Sequence, residues 1–312
     1  VIFAEGEDEN MLKAAIEFGR NRLGIPILIG AENRVKEQLK KIGLDENYKI
    51  QIVNSTHKEK REKYAKHLYK KLQREGQLER DVDRLVRNDR IAWGSSMIAC
   101  KDADAMVTGN IRHYAASIEK LKKVVDARPG EEIFGMTMIV SKGKTILVAD
   151  TNVTELPSAE RLVNISKSCV RIARLFGFEP KVAFLSHSTF GKPLSRNTRH
   201  VRDAIEKLKK EKVDFDFDGE MQPDVALNPT YKEIYPFSKI VGSANVLIMP
   251  ALHSAAISTK LMKVFGGGKN IGPLLIGLGQ PIEVAPLRAS TSEILNLASI
   301  AAYSSDVIDY SN

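Results

Sequence analysis

Short apolar segments alternate with amphipathic segments along the first part of the chain. The apolar segments predicted to be strands are residues 1–4, 26–29, 50–53 and 105–108. The intervening segments predicted to be helices, with apolar residues at helical spacing, are 9–23, 32–42, 58–75 and 78–99. This order is typical of a parallel sheet with helices on both faces.

The pattern changes after Pro129-Gly130. Residues 133–140 and 145–149 are apolar and flank Lys142-Gly143, which predicts a β-hairpin and an antiparallel edge. The alternation then resumes. The later segments predicted to be helices are 156–175, with Ser158 as N-cap, 198–211 and 290–303. Those predicted to be strands are 181–185, 215–218, 246–249 and 274–276.

These elements predict an α/β protein of two three-layer α/β/α lobes with mostly parallel sheets and a cleft between them. The first lobe is predicted at 1–131, and the second, which carries the hairpin, at 132–276. Residues 277–312 are expected to return to the first lobe, because a helix-rich tail of that size needs a surface to cover.

Composition narrows the class of protein. The 312 residues are 43% apolar, which is enough for a large core. No run of 18 apolar residues occurs, and the chain opens on an apolar strand, so neither a membrane span nor a secretory signal is expected. From the strand-like start without Met we expect a piece of a longer polypeptide, with removal of a tag or renumbering as the alternative. Cys100 and Cys169 lie far apart without a CxxC motif, which is typical of buried thiols and a cytoplasmic location.

The formal net charge is +8, which favours an anionic ligand. The densest basic stretch, residues 58–74, alternates with apolar residues at helical spacing. It therefore indicates a solvated helix face rather than a nucleic-acid site.

Polar loops that follow strands are the candidate sites, because ligands of open α/β sheets bind at the carboxyl ends of strands. The best candidate is residues 186–192, here called the serine loop. It offers hydroxyls, a permissive glycine and a cation that suit a phosphate or a polar thioester tail. Its candidate binding residues are Ser186, Ser188, Thr189, Gly191 and Lys192. An ordinary capping loop is the alternative.

Three other sequence patterns bear on phosphate, metal or nicotinamide binding. The glycine-rich segment 265–273, with Gly272 and Pro273, lacks P-loop spacing, and a helix C-cap with a turn is the alternative. The acidic run 5–9 favours a helix start over a metal site. No histidine has metal-ligand spacing with another, and no dinucleotide fingerprint follows a strand, so no metal or nicotinamide site is expected.

Seven stretches taken together resemble the phosphate acetyl/butyryltransferase family over nearly the whole chain. They are FAEGEDE (3–9), PILIG (26–30), DADAMVTG (102–109), PKVAFLSHS (180–188), FDGEMQPD (217–224), ANVLIMP (244–250) and IGPLLIG (271–277). The opening and the segment 102–106 look most like the version fused behind NADP-dependent malic enzymes.

The resemblance implies the chemistry of the family's active members, which make acetyl-CoA and phosphate from acetyl phosphate and coenzyme A. In them an Asp takes the thiol proton, a Ser stabilises the transition state and arginines anchor the phosphate. Here Pro286 aligns with the Ser, Leu287 with the Arg and Glu293 with the Asp. Arg288 lies one position from the Arg, and Ser290 lies four positions from the Ser.

Further departures concern phosphate and ligand binding. A second phosphate-anchoring Arg aligns near Glu119, which would repel an anion, and the family's Gly-Asn pair is replaced by Ala255-Ala256. Loss of one preorganised donor typically lowers a rate by about 10²–10³. No catalytic residue is therefore assigned.

We expect a non-catalytic regulatory and oligomerising domain of an NADP-dependent malic enzyme, which converts malate to pyruvate and CO₂. Acetyl-CoA or a related acyl-CoA is the expected effector, bound in the cleft. NADP and a divalent metal would belong only to the malic-enzyme portion outside this chain. Besides the serine loop, the candidate binding residues are Lys260, Gly272, Pro273, Arg288, Ser290 and Glu293.

A homodimer through the second lobe is expected, within a larger homo-oligomer of the full protein and without nucleic-acid or membrane partners. Three arguments support the dimer: the hairpin edge, the pairing of active relatives through this lobe, and a wide apolar stripe on helix 156–175. The alternatives are an active phosphate acetyltransferase, with Arg288 and Ser290 in the lost roles, and a purely structural dimer module.

Overall fold

The computed structural model describes residues 1–43, 50–55, 57–193 and 198–310. The chain divides into two compact units. Unit 1 comprises residues 1–129 and 278–312, and unit 2 comprises residues 130–277. Each unit combines a sheet with helices, so the predicted α/β class with mostly parallel sheets is confirmed. The predicted cleft concerns the arrangement of the two units and stays a prediction.

Unit 1 is built on a five-stranded parallel sheet. Numbered along the whole chain, its strands are β1 (Ile2–Phe3), β2 (Ile27–Ile29), β3 (Gln51–Val53), β4 (Met106–Gly109) and β11 (Ile282–Ala285). They lie in the order β11-β4-β1-β2-β3. Since all five are parallel, the residues that follow β1, β4 and β11 meet at one edge of the sheet.

The helices of unit 1 are α1 (Glu9–Arg20), α2 (Glu32–Lys41), α3 (Lys58–Leu72), α4 (Glu79–Asn88), α5 (Arg90–Ala99), α6 (Tyr114–Val124) and α11 (Thr291–Val307). The single helix predicted over 78–99 is wrong, because it divides at Asp89. The Asp89 carboxylate accepts hydrogen bonds from the amides of Ile91 and Ala92 and so caps α5. At the end of the chain, α11 packs on α1, and β11 extends the sheet beside β4.

Unit 2 contains a mixed six-stranded sheet in the order β10-β5-β6-β9-β7-β8. Its strands are β5 (Phe134–Ser141), β6 (Lys144–Ala149), β7 (Lys181–Leu185), β8 (Asp216–Met221), β9 (Val246–Ile248) and β10 (Lys269–Ile276). Its helices are α7 (Ala159–Leu175), α8 (Arg199–Glu211), α9 (Pro223–Leu227) and α10 (Leu252–Phe265). The strands β6, β9, β7 and β8 are parallel.

The predicted hairpin is confirmed: β5 and β6 pair antiparallel around the turn at Lys142 and Gly143, both of which have positive φ. The sheet edge predicted there is wrong, because β10 pairs antiparallel with the other side of β5. Strand β10 also begins at Lys269, earlier than the predicted residue 274. The hairpin therefore lies inside the sheet and leaves no edge that a second chain must cover.

Helix α7 begins after Ser158, whose hydroxyl accepts a hydrogen bond from the amide of Arg161, as predicted. The apolar stripe from which the sequence predicts a dimer is buried within unit 2. Except for Leu175, which is 37% exposed, its members are at most 5% exposed: Leu162, Val163, Ile165, Cys169, Val170 and Ile172. The stripe is wide because α7 packs on both α8 and the sheet, and the argument for a dimer from its width is wrong.

Within the described part of the chain, none of the helices combines the length and apolarity needed to cross a membrane.

Candidate functional site

The serine loop follows β7 at the carboxyl edge of the parallel strands of unit 2, where the sequence predicted it. Its hydroxyls point into the unit. Ser188 is fully buried and donates to a carboxylate oxygen of Glu220 at 2.9 Å, and the hydroxyls of Ser186 and Ser188 lie 3.0 Å apart. Thr189 Oγ1 accepts from the amide of Gln222 at 3.2 Å. These three predicted binding residues therefore already have protein partners.

An ion pair stabilises the serine loop. The carboxylate of Glu220, on β8, is fully buried, and its Oε1 accepts from Arg202 Nη1 of α8 at 3.1 Å. Glu220 Oε2 has no hydrogen-bond partner among the described residues. A buried carboxylate needs a compensating cation, so Arg202 is the group that makes this arrangement stable.

The serine loop is accessible at His187 and at its tip, residues 190–192. Backbone hydrogen bonds of 3.0 and 3.1 Å join Thr189 to Lys192 across the two intervening residues. Phe190 has φ 48° and Gly191 has φ 84°, both in the left-handed region. The Lys192 side chain is exposed and has no ion pair among the described residues. The tip therefore offers a ring and a cation to a ligand.

The glycine-rich segment is divided between the end of a helix and a strand, and its role in binding phosphate stays a prediction. Helix α10 ends at Phe265 with Gly266 as C-cap, in agreement with the alternative. Gly272 and Pro273 lie within β10, at an irregularity in its pairing with β5. A side chain at Gly272 would meet the backbone oxygen of Met136 at 2.9 Å, so the glycine is required by close strand packing. Lys260 is exposed on α10, and its role as a binding residue stays a prediction.

In unit 1, the segment 286–293, called the helix-start segment, joins β11 to α11. Ser290 and Glu293 form a capping box: the Glu293 carboxylate accepts from the Ser290 amide at 2.8 Å, and Ser290 Oγ accepts from the Glu293 amide at 3.3 Å. Arg288 is exposed with φ 58°, and its amide donates to the carbonyl of Asn110 at 2.9 Å. Leu287 is 43% exposed.

A buried carboxylate lies at the same sheet edge. Glu5, after β1, is fully buried and accepts from the Thr108 hydroxyl and the Gly109 amide, both at 3.0 Å. Arg112 Nη2 lies 3.9 Å from Glu5 Oε1. Burial raises the pKa of Glu5 to about 7, although Arg112 and the hydrogen bond from Thr108 oppose the rise. A pKa of about 7 places the titration of Glu5 near neutrality, at the sheet edge that β11 and the helix-start segment also reach.

We expect the E5Q variant to change how stability depends on pH. The pKa of Glu5 in the folded chain is about 7, above the ordinary glutamate value of 4.5, so its contribution to stability is greatest below pH 4.5 and is lost as the pH rises through about 7. The free energy of unfolding of E5Q relative to wild type should rise by on the order of 1–3 kcal/mol between about pH 4.5 and 8. Urea unfolding at several pH values measures this difference, and parallel pH profiles would contradict the assignment.

The roles of two acidic residues at the carboxyl edge of the unit 1 sheet were not identified from the sequence. The run 5–9 was interpreted as a helix start, which holds for Asp8, the N-cap of α1, and for Glu9 in its first turn. It does not hold for Glu5, nor for Glu7, which accepts from the Ala31 amide and pairs with Arg90. The missed signal was the position of Glu5 directly after a buried strand.

Among the residues that the structure describes, no group of three or more His, Cys, Asp or Glu side chains could hold a metal ion.

Comparison with known proteins places the chain in a family. The family described as phosphate acetyl/butaryl transferase matches residues 1–302. The NADP-dependent malic enzyme of Rhizobium meliloti is 43% identical over 304 residues, which cover 97% of this chain and 40% of that protein. The phosphate acetyltransferase of Clostridium acetobutylicum is 30% identical over 309 residues, 96% of this chain and 92% of that protein.

A solved phosphotransacetylase from Streptococcus pyogenes matches the fold with a TM-score of 0.88 at 28% identity, covering 98% of this chain and 93% of that one. The chain spans about two fifths of the length of the malic enzymes that it matches. Matches over nearly the whole chain, at both the sequence and the fold level, lead to one conclusion: the chain belongs to the phosphate acetyl/butyryltransferase family.

Proposed function

We propose that this chain is a non-catalytic, acyl-CoA-binding regulatory domain of an NADP-dependent malic enzyme. The similarity to malic enzymes supports the assignment to a larger protein, since the chain covers 40% of the Rhizobium meliloti enzyme. NADP and the divalent metal would then be held outside this chain.

The observation that carries the non-catalytic assignment is the capping box of the helix-start segment. Pro286 and Leu287 occupy the positions where active members have Ser and Arg. The neighbouring Ser290 and Glu293 bond each other, so each already serves as a helix cap. A hydroxyl and a carboxylate engaged in this way are poorly placed to stabilise a transition state or to take a thiol proton.

Two exposed cations support the binding of a phosphate-bearing acyl-CoA. Lys192 at the tip of the serine loop and Arg288 of the helix-start segment have no ion pair among the residues described. Each lies at the carboxyl edge of the parallel strands of its own unit, where α/β proteins bind ligands. Cations without a protein partner attract an anionic ligand without first breaking an existing pair.

A thermal-shift titration with acetyl-CoA tests the proposal. A ligand at about 100 times its Kd stabilises the folded state by roughly 2.7 kcal/mol, so the Tm should rise by several degrees. Without ligand, the K192A/R288A double variant should have the same Tm as the wild type. With acetyl-CoA, its Tm should rise much less. No shift in the wild type at millimolar acetyl-CoA would remove the acyl-CoA part of the proposal.

The dimer part of the proposal needs a surface other than the hairpin and α7. Helix α10 provides one, because it exposes an apolar stripe at helical spacing. The exposed fractions are 60% for Ile257, 52% for Leu261, 75% for Val264 and 81% for Phe265. We infer that a second copy of the chain covers this stripe, since active relatives resembling this chain pair through the same lobe.

We expect the L261E variant to be monomeric, because a charge in the middle of an apolar interface must be desolvated on association. Sedimentation at micromolar concentration should give twice the chain mass of 34.7 kDa for the wild type and 34.7 kDa for the variant. The matched control is L156E, an exposed leucine of the same unit that lies outside α10 and should leave the dimer intact. A wild-type monomer, or a dimeric L261E, would contradict this interface.

A purely structural dimer module remains the competing function. It predicts the same sedimentation result but no thermal shift with acetyl-CoA, so the two measurements together separate the alternatives.

A further inference from the structure

Three aromatic rings from two segments of unit 2, the serine loop and residues 235–237, form a cluster at the tip of the loop. The ring centroid of Phe190 lies 5.3 Å from that of Tyr235 and 4.9 Å from that of Phe237, and the Tyr235 and Phe237 centroids lie 6.1 Å apart. The planes are steeply inclined to one another, from 60° to 76°. We call this group the aromatic cluster.

The cluster lies at the edge of the core: Phe190 packs against the buried apolar residues of unit 2, and the other two rings extend toward solvent. Phe237 is 65% exposed, and Phe190 and Tyr235 are only partly buried. The enclosed space beneath the segment that carries Tyr235 is about 20 Å³, which is too small for a ring. A further ring could therefore stack only on the outer side of the cluster.

The backbone of Phe190 is constrained by hydrogen bonds. Its φ of 48° is unusual for a bulky aromatic residue and costs free energy, which is a feature that concentrates at ligand-binding sites. Its amide donates to the carbonyl of Glu220 at 2.7 Å, and the turn from Thr189 to Lys192 closes around it. The ring is consequently preorganised and loses little conformational freedom when a ligand stacks on it.

Two lysines lie near the cluster, and the segment that carries Tyr235 also carries the exposed Glu233. Lys192 lies two residues after Phe190 and is exposed. Lys232 donates to the carbonyl of Ser238, the residue that follows Phe237, so its ammonium lies beside the cluster. A flat ring bearing several phosphates matches this combination of aromatic surface and positive charge better than an apolar protein segment would.

We propose that the aromatic cluster is the subsite for the adenine ring of the acyl-CoA ligand, with Lys192 and Lys232 facing its phosphates. This inference rests on the proposed function and adds the residues that recognise the nucleotide end of the ligand. Stacking on aromatic side chains binds an adenine without requiring a dedicated hydrogen-bond pattern. Binding of the acyl and pantetheine parts of the ligand would not depend on the aromatic cluster.

Calorimetric titration with two probes tests the inference. Acetyl-CoA carries the adenine nucleotide, whereas acetyl-pantetheine has the same thioester and arm without it. The F237A variant should bind acetyl-CoA at least about fivefold more weakly than wild type, in line with stacking contributions measured by alanine substitution. Its affinity for acetyl-pantetheine should be unchanged, and F237W should restore acetyl-CoA binding.

The matched control is I234A, which removes an exposed apolar side chain of the same segment that is not one of the three rings. It should bind acetyl-CoA like wild type. Equal acetyl-CoA affinity of F237A and wild type would overturn the inference and leave the proposed function standing.

Absence of acetyl-CoA binding to the wild type would instead overturn the proposed function. Titration with adenosine 3′,5′-bisphosphate then tests the nucleotide subsite independently of acyl-CoA binding. Binding that F237A weakens supports a nucleotide site at the cluster, and absence of binding overturns it.

Discussion

Acetyl phosphate and coenzyme A incubated with this chain will give no acetyl-CoA at a measurable rate. Pro286 has no hydroxyl and Leu287 cannot pair with phosphate, and the resemblance to active members implies that Glu119 lies near the position of an anchoring Arg. Loss of one preorganised donor costs about 10²–10³ in rate, and losses at one site do not simply add. The nearby Ser290 and Glu293 are engaged in the capping box and do not replace the missing groups.

A thiol-release or thioester-absorbance assay measures this, with the Clostridium acetobutylicum phosphate acetyltransferase as the positive control. A kcat above about 1 s⁻¹, an ordinary rate for an enzyme, would contradict the assignment and favour an active acetyltransferase. The P286S/L287R/E119R variant addresses the cause, because any turnover it gains over wild type would trace the inactivity to these three positions.

The R202M variant should be less stable than wild type by about 3–5 kcal/mol, because it leaves a buried carboxylate without its cation. The carboxylate of Glu220 is fully buried, and one of its oxygens already lacks a hydrogen-bond partner among the described residues. The midpoint of urea unfolding, at an unchanged m-value, is the measurement. Since Ser188 donates to the same carboxylate, the serine loop should also lose order.

The matched control lies on the same helix. Arg199 pairs with Asp203 at 3.8 Å, but both side chains are largely exposed, so R199M should cost at most about 0.5 kcal/mol. The double variant R202M/E220Q should recover much of the lost stability, because it removes the uncompensated charge. Equal destabilisation by R199M and R202M would show that the buried pair has no special importance.

Local features of the fold could be predicted because they depend on neighbours in the sequence. The alternation of apolar and amphipathic segments predicted the α/β class, Lys142-Gly143 predicted the hairpin, and Ser158 predicted the start of α7. Each of these depends on backbone preferences or side-chain periodicity within a few residues. The order of seven short motifs also indicated the family, which the comparison over residues 1–302 bears out.

The predictions that are wrong concern segments that lie far apart in the sequence but contact each other in the fold. Pairing of β10 with β5 joins residues more than 100 positions apart and turns an expected edge into sheet interior. The stripe of α7 is wide because α8 and the sheet both cover it, which its own periodicity cannot indicate. Strand pairing and burial depend on which surfaces fit together, and a local pattern contains no information about its partner.

The features of the candidate sites also fall into those that the sequence determines and those that the fold determines. The sequence by itself determined that a polar loop follows β7, because this follows from residue identity, and the resemblance to the family implied that Pro286 and Leu287 stand where active members have Ser and Arg. Only the tertiary structure decided that the serine hydroxyls point inward to Glu220, that Glu5 is buried beside Arg112, and that Phe190 meets Phe237. The physical reason is that hydrogen bonding, desolvation and ring packing depend on distances in space, which the fold sets between residues far apart in the chain.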